Sequence, residues 1–194
     1  RRTLLARLVA LEVEAPQHPS PAAMKALVEA LAPTELYSML SPLERLFARP
    51  ERDVRLAVAA ALGRFLYKRS FVTLRQALHD ADAAVQAEAR RSLEQLHFPH
   101  AFDPLARIYR ETVDTQTRLA ALRALALVDT DEAAEMVLDL ARHAGPKDQG
   151  QLLQALANAC SLRLLRLARS ALDTASGPAA EALRALLRSQ GVTV

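Results

Sequence analysis

Five histidines, one cysteine and two close pairs of carboxylates are the residues of this 194-residue chain whose chemistry could do more than pack. His18, His79, His97, His100 and His143 form no HExxH and no pair of His-Glu dipeptides. His97 and His100 lie three apart around Phe98-Pro99, but a metal there needs further ligands, and neither a cysteine nor an acidic cluster adjoins them. They are expected to be surface or capping histidines. Glu12 with Glu14 and Asp80 with Asp82 are spaced for carboxylate chemistry, yet at helix ends and in loops such residues accept from free backbone N–H groups. Cys160 stands alone in an apolar helical stretch, where it is expected to be a buried small hydrophobe with no internal disulfide open to it. The chain lacks GxxxxGKS, GxxxxGKT, GxGxxG and GxSxG. This inventory predicts no catalytic residue, no metal and no cofactor.

What the residues do build is a helix, and then the same helix again. In the stretch from Asp53 to Phe65, the residues Val54, Ala57, Val58, Ala61, Leu62 and Phe65 fall on one helical face. Asp53 stands where a carboxylate can cap the positive end. Ala57 and Ala61 are small enough to let a neighbouring helix approach, and Leu62 fills the space beside them. Such a short helix needs packing on its neighbours to persist in water.

Equivalent helices begin at Ala23, Val54, Val85, Thr117, Asp148 and Pro178, spaced 31, 31, 32, 31 and 30 residues apart. Eight residues on, every copy carries leucine: Leu31, Leu62, Leu93, Leu125, Leu156 and Leu186. Seven residues on stand Ala30, Ala61, Ser92, Ala124, Ala155 and Ala185, all small. Four residues on stand Leu27, Val58, Ala89, Ala121, Leu152 and Ala182, all apolar. Three columns that keep phase together predict a buried seam shared by stacked copies.

At these positions the chain resembles the HEAT-repeat family, in particular the short HEAT-like repeats of the phycobilin-lyase type. Asp53-Val54-Arg55 followed by Ala57, Ala61, Leu62 and Gly63 matches that motif well. The other copies depart from it: the Arg55 position elsewhere holds Met24, Gln86, Arg118, Gln149 and Ala179, and the Gly63 position holds Ala32, Glu94, Ala126, Ala157 and Leu187. The resemblance implies an all-α, armadillo-like α-solenoid, a right-handed superhelix of about six antiparallel helix pairs. Fold alone does not assign an activity. Relatives that hydroxylate carry iron-binding His-Glu pairs, and relatives that excise DNA bases use Trp and Asp; the first pairs are missing here, and the chain has no Trp.

Composition agrees with helices. Apolar residues make up 51% and aromatics 4%, and no stretch alternates long enough for a strand. No run of 18 apolar residues offers a membrane span. The chain begins Arg1-Arg2-Thr3 without Met, which predicts a piece of a longer protein, and no internal linker divides residues 1–194, which predicts a single repeat domain. A lone cysteine fits a cytoplasmic setting.

Along the chain, helices are expected over 1–13, from Ser20-Pro21 to Ala32, over 52–66, 69–79, 83–96, from Asp103-Pro104, over 115–128, from Thr130 through His143, over 148–158, 161–172 and from Ser176 to Ser189. Segment 35–49 predicts two short helices or one kinked helix, with Ser41-Pro42-Leu43-Glu44 as a capping box. Phe71, Val72, Leu74 and Leu78 are expected inward.

Function has to come from a surface. Net charge is +3, with 25 basic residues of which only 3 are Lys. In the resembled family the motif helices line a concave face. Arg91, Arg123 and Arg184 recur six residues beyond the start of their copies, and Arg55, Arg64, Arg90, Arg118 and Arg188 lie on outward parts of the same helices. Leu122, Leu153 and Leu183 recur five residues beyond the start, as an apolar strip for a partner or as the edge of the inter-repeat core. Solvated arginines paired to Glu88, Glu94 and Glu181 are the plainer alternative. The expected function is a non-enzymatic protein–protein interaction scaffold that holds an acidic protein partner on its concave face. The alternatives are phosphate-backbone binding of nucleic acid through the same arginines, or a subunit of a lyase-type enzyme.

Overall fold

The computed structural model describes residues 20–193 apart from 158. The expected helix over 1–13, with His18, Glu12 and Glu14, lies outside the described residues. Among the described residues every regular element is a helix, and the fold is an all-α helical repeat. The contacts divide into two compact units at the junction between Leu96 and His97.

The first unit holds α1 (Pro21–Leu31), α2 (Leu40–Phe47), α3 (Arg52–Leu62), α4 (Ser70–Ala77) and α5 (Ala83–Gln95). The motif helices α1, α3 and α5 pack in one row, α1 on α3 and α3 on α5, while α2 and α4 pack on each other behind them. The second unit holds α6 (Phe102–Glu111), α7 (Thr115–Leu127), α8 (Asp131–His143), α9 (Pro146–Leu156), α10 (Leu162–Leu172) and α11 (Gly177–Ser189). Here α7, α9 and α11 form the motif row; α6 packs on α7, and α8 packs on α7, α10 and α11.

The leucine column is the core of both units. Leu31, Leu62, Leu93, Leu125, Leu156 and Leu186 are each at most 1% exposed. At the first and last copies the buried pattern starts one residue later than the spacing predicts. Met24, Val28 and Leu31 are buried in α1 with Ala32 just after it, and Ala182, Leu183, Leu186 and Leu187 in α11, so Ala30 is exposed and Ala185 only half-buried.

Helix ends follow local chemistry, with corrections. The Ser20 hydroxyl accepts from the Ala23 N–H with Pro21 in the first turn, and Asp82 accepts from Ala84 and Val85 at the start of α5. Asp114, Thr130 and Ser161 cap α7, α8 and α10 in the same way. Asp53 does not cap α3. Glu51 holds that position without a side-chain bond, and Asp53 sits exposed in the first turn against Arg52. Ser41 and Pro42 are no capping box: a 3-10 turn over Tyr37–Met39 runs directly into α2, which starts earlier at Leu40. Pro42 is tolerated there because it still lies in the first turn, where an N–H has no intrahelical partner. Val72 faces solvent at 55% exposure, whereas Phe71, Leu74 and Leu78 are buried. The helix expected from Asp148 begins two residues sooner, at Pro146, with Gly145 as its N-cap.

Candidate interaction site

The chemistry-bearing residues serve structure. Asp80 receives both ends of the Arg55 guanidinium, Nε to Oδ2 at 2.8 Å and Nη2 to Oδ1 at 3.1 Å, while Arg55 Nη1 also donates to the Pro50 carbonyl at 2.6 Å. The Arg55 hydrogen bonds hold the Asp80 carboxyl below the usual carboxylate range. Asp82 caps α5 and accepts from Arg52 at 2.8 Å. In this way the loop before α5 is tied to α3 by two charged pairs. Arg69 grips Glu44 in the same forked manner, at 2.9 and 2.8 Å, and lowers that carboxyl too. Cys160 is half-buried, and burial pushes its thiol up to about 11, so it stays protonated and unreactive near neutrality. Among the described residues, no three His, Cys, Asp or Glu side chains converge to hold a metal ion.

The arginines and leucines singled out in the sequence differ in exposure and in what they already hold. Arg55 is committed to Asp80 and only 18% exposed. Arg91 is exposed and pairs with Glu88 at 2.8 Å, which is the plain alternative realised at that residue. Arg90 and Arg123 are half-buried and engaged within the chain. Arg118 donates to the Thr112 carbonyl at 2.7 Å. Arg64, Arg184 and Arg188 are exposed. Of the leucine strip, Leu183 is fully buried and Leu122 is 2% exposed, while Leu153 is half-buried. At Leu183 the strip is the edge of the inter-repeat core, not a face open to a partner.

Two of these residues, Arg118 and Leu122, do meet at a feature of the second unit. They line an open groove of about 970 Å³ bounded by α6, α7, α8 and α9. The main packing of α8 is on α7, α10 and α11, and α6 reaches it through Arg110, whose Nη2 stands 4.0 Å from the Met136 sulfur. One side of α8 lines the groove along its length: Glu132, Glu135, Met136, Asp139, Leu140 and His143 all face it. Its opposite side, with Ala133, Ala134, Val137, Leu138 and Ala141, is buried.

The groove has an apolar floor and an acidic rim. Leu119, Leu122, Met136, Leu140, Leu152 and Tyr109 supply the floor, and Glu132, Glu135, Asp139 and Asp148 stand around it as exposed carboxylates. Two guanidiniums oppose them. Arg118 is spent partly on Thr112, and Arg110 Nη2 lies 4.0 Å from the Met136 sulfur. His143 donates through Nδ1 to the Asp139 carbonyl at 2.8 Å. Burial raises the Tyr109 phenol above its ordinary value, and Asp148 adds to the rise while Arg118 opposes it.

Sequence reasoning missed this groove, although a signal was present. Projected at 100° per residue, Ala133, Ala134, Met136, Val137, Leu138, Leu140 and Ala141 span roughly 200° of α8, twice the width of an ordinary core-facing stripe. Such width means a second apolar face, with Met136 and Leu140 on its edge beside the carboxylates.

Comparison with known proteins agrees with the geometry. The family model described as HEAT repeats matches residues 40–126 and again 71–157, offset by one repeat. No curated protein matches the chain.

Proposed function

Since the chain belongs to the HEAT-repeat family, we propose that it works as a non-catalytic scaffold that binds other proteins. The observation that carries this reading is the uncovered amphipathic groove of the second unit. It sets half-buried Leu119, Met136 and Leu140 beside exposed carboxylates, and an open groove of apolar and polar groups is the default place for a binding site. The titratable groups around it support binding more than chemistry. Its carboxylates are exposed and open to solvent rather than enclosed beside a nucleophile.

The finer reading, an acidic partner on the expected concave face of the motif helices, rests on arginines that stand exposed. Arg64, Arg184 and Arg188 fit that part; Arg55 does not. Nucleic acid is the weaker reading, because several of the arginines it would need already donate within the chain.

Affinity capture from lysate, with and without nuclease, tests the proposal. A discrete protein retained after nuclease and at moderate salt is the expected result. Capture that vanishes with nuclease and falls steeply with salt would replace the scaffold by a phosphate-binding role. The variant Arg64→Glu/Arg184→Glu/Arg188→Glu tests the finer reading separately, by losing that partner or keeping it.

A further inference from the structure

We propose that the groove between α6, α7, α8 and α9 receives a basic amphipathic α-helix of a partner protein, lying along α8. The inference rests on the scaffold reading and names the chemistry of one partner.

Shape argues for a helix. The groove follows one side of α8 from Glu132 to His143, positions spaced 3, 1, 3, 1 and 3 residues apart. The 13-residue α8 is about 20 Å long at 1.5 Å per residue. A floor that long, open to solvent along one side and lined by helices on the others, matches the apolar stripe of a partner helix of three or four turns. Such a helix would anchor through side chains at i, i+3 or i+4, and i+7. Met136 suits this use, because its flexible thioether adapts to the shape of an incoming anchor.

Charge selects which helix. The whole chain carries +3, yet this groove runs against that sign, with four carboxylates facing two guanidiniums. Glu132, Glu135 and Asp148 form no ion pair with any described residue, and Asp139 has only a long contact of 3.4 Å to Arg142, beside the groove. The helical projection puts Glu132, Glu135 and Asp139 together beside Met136 and Leu140. A partner helix whose apolar stripe is flanked by Lys or Arg would therefore meet apolar floor and carboxylate rim at once. An acidic helix would meet repulsion on the same rim.

A display library of 16-residue helical peptides, panned on the chain, tests the proposal. Recovered peptides are expected to be basic, with apolar residues at i, i+3 or i+4, and i+7. Their affinity should fall at least tenfold for Glu135→Lys/Asp139→Lys, both exposed positions, with helicity by circular dichroism unchanged. A second variant, Met136→Gln/Leu140→Gln, should weaken binding without altering its salt dependence. Recovery of no peptides, recovery of acidic ones, or binding that is indifferent to both variants would overturn the proposal. Those failures leave the scaffold reading to stand or fall on affinity capture, which needs no groove ligand.

Discussion

Arg55 shows how a motif position can look like a binding residue and be a structural one. It is an outward-leaning arginine on the clearest repeat copy, which made it a candidate contact. The fold uses it to join the end of the loop before α3, through the Pro50 carbonyl, to the loop before α5, through Asp80. This role needs a partner 25 residues away, and spacing along one helix contains no trace of that partner. Asp80→Asn should cost about 1.5–3 kcal/mol of stability near neutral pH, the range for hydrogen bonds to a charged group. Because the native carboxyl is lowered from its ordinary value, the stabilisation is complete above about pH 5 and is lost as pH falls through the native value. Urea melts of both proteins across pH should converge on acidification; a gap that widened in acid would show that Asp80 acts by some other means.

At the scale of elements the helix positions were legible, because leucine, small and apolar columns keep phase over six copies. Their ends were less so. Pro42 and Asp53 carry start signals that several frames satisfy, and tertiary packing chose among them. Gly63 is a case where packing explains a motif residue. Its φ of −61° demands no glycine, but a Cβ there would lie 3.0 Å from the Ser92 Cα and 2.5 Å from Gln95 Oε1. The Gln95 side chain can swing away. Ser92 cannot, being inside α5 and holding the Ala59 carbonyl of α3 through its hydroxyl at 2.8 Å. Gly63→Ala should therefore destabilise by about 1–3 kcal/mol through overpacking of α3 on α5. This outweighs the gain of a few tenths to 1 kcal/mol from a stiffer unfolded chain. Thermal or urea denaturation decides it, and a stabilised variant would show that α5 can recede at little cost.

For the molecule as a whole, repeat periodicity gave the family and the core, and it gave almost none of the site. A repeat signal records what the copies share, namely the seam that each presents to the next. The groove comes from what they do not share: in the second unit α8 carries a second apolar edge, Met136 and Leu140, that lines the groove with α6 and α9, and only its unusually wide apolar arc hinted at that. The arginine columns were legible as residues but not as a surface. Whether an arginine is spent on a neighbouring carbonyl or carboxylate depends on contacts between repeats. The proposed scaffold works through a surface used for binding. Amide hydrogen exchange of the chain, alone and with its captured partner, tests it most directly. Slowed exchange concentrated along α8 and the facing part of α7 is the predicted result. Protection that avoids the groove altogether, or a bound state with no local protection, would contradict it.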